Sequence, residues 1–189
     1  NKKTKAIVPM HYAGLLCDMK KIKKIAKENK LLLIEDAAQS WNASASGQKS
    51  GTFSNVSAFS MNPMKVLAAC GEAGAIVTDD NELYQRIIAL RHNGTVNKEV
   101  CIQTSLNGRL DSLQAGILLE RMKGVDKKIK KIRKNVLLYN QLLPKNIIPS
   151  SERQDEISSY YSYTVQVDKR EELIKFLTHM GIETKIQHP

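Results

Sequence analysis

The sequence has little from which to build a disulfide framework, a zinc site or a membrane anchor. Its three cysteines, Cys17, Cys70 and Cys101, are odd in number, widely spaced and outside any CxxC or Cys/His ligand pattern, so ordinary reduced thiols are expected. The longest apolar runs, such as Leu31 to Ile34, are far too short to cross a bilayer, and the N-terminal residues lack the apolar core and cleavage site of a secretory signal. A cytoplasmic location is the expectation. Phosphate loops of the GxGxxG or Walker type are missing too; Gly71-Glu72-Ala73-Gly74 only lets the chain turn back. With 189 residues and 42% apolar content, the chain is nevertheless long enough to bury a core.

Acidic charge is also scarce. Lys and Arg number 29 against 19 Asp and Glu, a net charge of +10, and such an excess invites a nucleic-acid reading. Its distribution argues against one. Most of it lies in Lys20 to Lys30 and Arg121 to Lys134, where Ile22, Ile25 and Ala26, then Val125, Ile129, Ile132 and Val136, recur at helical spacing. The cations therefore fall on the solvated faces of two amphipathic helices. Few aromatics are interleaved with them, so neither nucleic acid nor membrane is an expected partner.

Over the first hundred residues short β-type runs alternate with helical patterns. Ala6 to Pro9, Leu31 to Glu35, Val56 to Met61 and Ala75 to Thr78 read as strands; Met19 to Asn29, capped by Asp18, and Glu82 to His92 read as helices. This alternation predicts an α/β fold with a mostly parallel sheet flanked by helices. From Leu110 to about Leu143 the pattern is helical, with an interruption near Gly124. Ser159 to Val167 then alternates like a strand, Lys169 to Met180 reads as a helix, and Ile182 to Ile186 as a final short strand. The expected division is 1–124, part of a large α/β domain, and 125–189, a linking helix with part of a small α+β domain. Both ends look cut, so a fragment lacking the N-terminal part is expected.

In parallel sheets ligands gather beyond the carboxyl ends of the strands, where Asp36, Ser60 and Lys65 fall. A carboxylate directly after a buried strand needs a partner. For Asp36 this is either a helix cap or salt bridge, or a protonated pyridine nitrogen. Lys65 sits in Phe59-Ser60-Met61-Asn62-Pro63-Met64-Lys65-Val66-Leu67. Apolar neighbours there favour the neutral amine that imine formation requires. Ser60 is placed to donate to a phosphate, or simply to cap a turn.

Glu35-Asp36-Ala37-Ala38-Gln39-Ser40, then Ala58-Phe59-Ser60 with Pro63 and Lys65, then Gly71 to Asp79, resemble the sugar-nucleotide aminotransferases of the DegT group, a fold-type I pyridoxal-phosphate (PLP) family. Val8 to Gly14 resembles that family's strand and turn before the first helix. Leu106-Asn107-Gly108-Arg109-Leu110-Asp111-Ser112-Leu113-Gln114-Ala115 is similar to its NxRLDxLQA segment, and Gly181 to Pro189 to its C-terminal domain. The resemblance implies PLP as cofactor, held by Lys65 as a Schiff base. It implies Asp36 on the pyridine nitrogen, Gln39 near the phenolic oxygen and Ser60 on the phosphate. It also implies that Asn107 reaches the cofactor phosphate of a neighbouring subunit, making a homodimer the catalytic unit. Arg109 travels with that segment as a structural or substrate-adjacent residue. His11, Tyr12 and His188 are candidates for lining the substrate pocket.

The same resemblance implies transfer of an amino group, with glutamate as donor, to a nucleotide-linked 4-keto-6-deoxy sugar in amino-sugar and surface-polysaccharide biosynthesis. The competing readings are a cyclitol aminotransferase or sugar dehydratase of the same group, and a non-catalytic fragment. Trp41, Asn62, Met64 and Val66 depart from the family's commonest pattern, which puts sugar choice rather than imine chemistry in doubt. The family's glycine and hydroxyl loop for the phosphate, and its ring-stacking aromatic, come from a segment that this chain does not contain.

Overall fold

The computed structural model describes residues 1–186. Its strands are β1 (Ala6–Ile7), β2 (Leu32–Asp36), β3 (Ser44–Ala45), β4 (Gln48–Lys49), β5 (Val56–Ser60), β6 (Gly74–Thr78), β7 (Thr95–Val96), β8 (Val100–Cys101), β9 (Ile148–Pro149), β10 (Glu156–Ile157) and β11 (Val165–Gln166). The helices are α1 (Met19–Glu28), α2 (Asn81–Arg91), α3 (Ser112–Met122), α4 (Val125–Leu142) and α5 (Arg170–His179).

The central sheet runs β1-β2-β5-β6. Its first three strands are parallel, with Ala6 opposite Leu32 and Asp36 opposite Ala58. β6 pairs antiparallel to β5, with Ser60 opposite Gly74. Residues 61–73, which join these two strands, contain no helix, and a parallel crossover usually runs through one. The chain therefore turns straight back, leaving the Lys65 segment as a loop at the carboxyl edge.

Two apolar clusters hold these layers. Met19 of α1 packs with Leu16, Leu33, Ala43 and Phe53; α1 starts at Asp18, whose carboxylate accepts the Lys21 N–H at 3.1 Å. In the second cluster, Leu118, Val125 and Ile129 of α3 and α4 pack on Met61, Val66, Leu67 and Ala69 of the Lys65 loop. The break at Gly124 separates these helices where the sequence pattern is interrupted.

One expected strand is shortened and another is not formed. Ser159 to Val167 is strand only at Val165–Gln166, which pairs with β9; Ser158 to Ser162 instead docks against the first loop. Ser158 Oγ donates to the Gly14 carbonyl at 2.8 Å, Ser159 Oγ to that of Gln39 at 3.1 Å, and the Ser162 N–H to that of Ala13 at 3.4 Å. Gly14 permits the approach: its φ is +89°, and a Cβ there would lie 2.5 Å from Ser159 Oγ. Ile182 to Ile186 has apolar alternation but no strand partner among the described residues, so it stays irregular. No helix of the described residues is long and apolar enough to cross a membrane.

Candidate active site

Three strand ends meet at one edge. The N–H of Asp36 donates to the Pro9 carbonyl at 2.9 Å and its carbonyl accepts from the His11 N–H at 3.1 Å, so the backbone after β1 is stitched to the end of β2. Ser60 closes the neighbouring β5. Beyond it, Asn62-Pro63-Met64-Lys65 forms a turn, with the Lys65 N–H donating to the Asn62 carbonyl at 2.9 Å. Pro63 presets that turn, and the Asn62 amide braces it by donating to Glu72 at 2.7 Å.

Each side chain of this group keeps bonding capacity in reserve. One Asp36 carboxylate oxygen accepts the Ala38 N–H at 3.0 Å; the other makes no bond among the described residues. The Gln39 carbonyl oxygen accepts the Ala13 N–H at 2.7 Å, which leaves its amide N–H groups unclaimed among those residues. Ser60 Oγ accepts only a long bond from the Asn62 N–H, 3.4 Å. Lys65 Nζ lies 4.6 Å from the centroid of the Tyr161 ring and has no salt bridge among the described residues. A free acceptor, an amide donor, a hydroxyl and an amine at one sheet edge are the donor set that PLP requires, so the residues present fit that group.

His11 departs from its expected role. It is wholly buried rather than lining a pocket, and both ring nitrogens are engaged. Nδ1 accepts the Cys17 N–H at 3.2 Å, and Nε2 faces Glu35 at 2.8 Å. Burial lowers the ring's proton affinity, and its contacts with Cys17 and Glu35 raise it. Because the Cys17 N–H already occupies Nδ1, we assign the ring proton to Nε2, donated to Glu35.

Glu35, also fully buried, further accepts the N–H groups of Gly51 and Phe53, each at 2.9 Å, and the Ser57 hydroxyl at 3.0 Å. Burial alone pushes the carboxyl up. The bonds from His11, Gly51, Ser57 and Phe53 outweigh it and hold the pKa at about 2, against 4.5 ordinarily. Gly51 fits because its φ is +88° and a Cβ would meet the Phe59 ring at 2.4 Å. This buried pair pins the strand that ends in Asp36.

Tyr12 is half-buried in the turn Tyr12–Gly14. Trp41 is half-buried and meets Phe59 edge-on, with centroids 5.4 Å apart, bracing β5 below Ser60. Asn107 and Arg109 form a separate, exposed group. Arg109 Nε donates to Asn107 Oδ1 at 3.0 Å, and no hydrogen bond among the described residues links the two to the Asp36–Lys65 cluster. His188 lies outside the described residues.

Sequence reasoning missed Glu35 as an anchor and Tyr161 as the ring beside Lys65. A charged residue inside the inward alternation of an apolar strand signals the first. Nothing in the Ser159–Val167 pattern signals the second, because a docked loop has no periodicity.

A lysine, a carboxylate and a hydroxyl gathered at the carboxyl edge of a mostly parallel sheet define the class: an α/β transferase of the PLP-dependent fold type. The chain belongs to the DegT/DnrJ/EryC1/StrS aminotransferase family, whose model matches residues 1–189. It is 34% identical over 192 residues to the pleiotropic regulatory protein of Geobacillus stearothermophilus, covering 100% of this chain and 52% of that one. To the UDP-2-acetamido-2-deoxy-3-oxo-D-glucuronate aminotransferase of Pseudomonas aeruginosa it is 35% identical, over 99% of this chain and 52% of that one. Among solved structures, S. venezuelae DesV in complex with a ketimine intermediate superposes with a TM-score of 0.92 at 32% identity, covering 100% of this chain and 52% of that one. The chain thus spans about half the length of the curated relatives it matches.

Proposed function

We propose that this chain supplies the lysine-bearing half of a PLP-dependent aminotransferase that moves an amino group, with glutamate as donor, onto a nucleotide-linked keto-sugar. The observation that carries the reading is the placement of Lys65, Asp36, Gln39 and Ser60 at one sheet edge, each with hydrogen-bonding capacity left unused among the described residues. When bound, PLP supplies an electron sink for the carbanion left at an amino donor's α-carbon.

The chain's own residues do the rest. Lys65 Nζ would hold the group covalently and, once the donor's own amine had replaced it there, would be the free amine that takes the proton from the donor's α-carbon. The free Asp36 oxygen would pair with the pyridine N–H, the Gln39 amide would donate to the phenolic oxygen, and the Ser60 hydroxyl would bind the phosphate. Glu35 and His11 keep Asp36 in place from behind. Two half-reactions on one site give ping-pong kinetics. Asn107, exposed and apart from this group, is assigned to the site of a second subunit in a homodimer. Arg109 holds the Asn107 oxygen. In this reading residues 1–124 belong to the large domain and 125–189 to the linking helix and small domain, and the enzyme works in the cytoplasm on precursors of surface polysaccharide.

The sugar is a 4-keto-6-deoxyhexose on the family resemblance; the 3-oxo substrate in the name of the Pseudomonas relative favours a 3-keto sugar as the second reading. The full-length protein incubated with PLP, glutamate and each type of nucleotide-linked keto-sugar should release 2-oxoglutarate and yield an amino sugar from one of them. Retention of PLP without amination of either would overturn the substrate assignment. Asp36→Ala in the same protein should slow turnover by about 10²–10³-fold, measured as 2-oxoglutarate release at saturating PLP. An unchanged rate would remove Asp36 from the site.

A further inference from the structure

The Lys65 loop raises a separate question: what satisfies its backbone. Val66, Leu67, Ala68 and Ala69 are all buried, yet residues 61–73 form neither helix nor strand. Buried carbonyls without a ladder need other donors. Among the described residues, no main-chain N–H reaches the carbonyls of Val66, Ala68 or Ala69.

Side chains from α3 and α4 reach them instead. Arg121 Nη1 donates to the Ala68 carbonyl at 2.6 Å and to that of Ala69 at 3.2 Å. Lys128 Nζ donates to the Val66 carbonyl at 2.8 Å. Gln114 Oε1 accepts the Cys70 N–H at 2.8 Å. Gln114, Leu118, Arg121, Val125 and Lys128 follow one another at steps of four and three along the two helices. They therefore make one stripe in which polar grips alternate with the apolar contacts of Leu118 and Val125. Within the basic run of α3 and α4, these two cations do more than solvate a helix face.

We infer that Gln114, Arg121 and Lys128 are positioning residues that clamp the main chain just beyond Lys65 and so fix the direction from which its amine is presented. This rests on the reading of Lys65 as the cofactor-bearing lysine. None of the three is placed against cofactor or substrate; they act through the loop. A guanidinium spanning two successive carbonyls has a geometry that no single ammonium reproduces.

The test uses the full-length protein with Arg121→Met, Lys128→Met and Lys128→Arg. Two quantities are measured: hydrogen exchange of peptides from 61–73 and from α1 before PLP is added, and the rate at which PLP becomes fixed to Lys65 under borohydride. Each methionine variant should speed exchange in 61–73 by about tenfold, leave α1 unchanged and slow fixation by about tenfold. Lys128→Arg, which keeps a donor in reach, should restore both rates. Equal exchange and fixation in all variants would overturn the clamp, as would faster exchange spread evenly over α1. If the unsubstituted protein fixes no PLP at Lys65, the functional reading fails, while the exchange data still decide whether the clamp exists.

Discussion

Lys65→Ala is expected to reduce amino transfer by about 10⁴-fold or more, because in the proposed function one substitution removes both the covalent anchor of the cofactor and the base at the donor's α-carbon. The fold should hardly notice. The Lys65 side chain is half-buried, and its one described contact is the face of Tyr161; losing a cation–π contact at such a site costs about 0.5–1 kcal/mol. The turn survives as well, since it depends on the Lys65 main-chain N–H and not on its side chain. Turnover with glutamate, alongside a thermal melt, separates these effects. A melt lowered as much as activity would mean that Lys65 is a structural residue. Tyr161→Phe, which keeps the ring beside Nζ, provides a control and should retain activity far better than Lys65→Ala.

Glu35→Ala should show the opposite signature, a loss of stability of roughly 3–5 kcal/mol, because the buried His11 N–H and its fellow donors lose their carboxylate and each donor left unsatisfied costs about 1–3 kcal/mol. The loss goes beyond His11, because the N–H groups of Gly51 and Phe53 and the Ser57 hydroxyl also lose their shared acceptor in a site without water access. Denaturant unfolding of the two proteins side by side measures it. The pH dependence has a definite sign. Folding lowers the Glu35 pKa from 4.5 to about 2, so the unfolded chain takes up the proton first. The contribution is complete above pH 4.5 and disappears as pH falls through about 2. Unfolding free energy should therefore decline across that acid window in the unsubstituted protein and decline less in Glu35→Gln. A change below 1 kcal/mol in Glu35→Ala would refute the pinning role given to the pair.

Much of the fold was legible because apolar runs and helical spacing report burial locally. Leu32–Asp36, Val56–Ser60 and Gly74–Thr78 fall where short apolar runs bounded by turn residues place strands, and Asp18 caps α1 as its position foretells. Less legible was anything decided by a distant partner. Ser159 to Val167 alternates like a strand, but its first half is captured by Gly14 and Gln39, and that competition has no signature in the local pattern. His11 illustrates the same limit for function. A histidine near a strand end suggests a pocket, and only the position of Glu35 across the neighbouring strand shows that it is buried. Asp36, Gln39, Ser60 and Lys65 were singled out by motif order, a signal of chemistry rather than of packing. Arg121 and Lys128, by contrast, are indistinguishable in sequence from the solvated lysines around them.

The most direct measurement is to reduce the full-length protein with borohydride in the presence of PLP, digest it and locate the modified lysine by mass spectrometry. A single phosphopyridoxyl group on Lys65 is expected, together with loss of the visible cofactor band that precedes reduction. Modification spread over the many surface lysines, or confined to a lysine other than Lys65, would contradict the role given to Lys65.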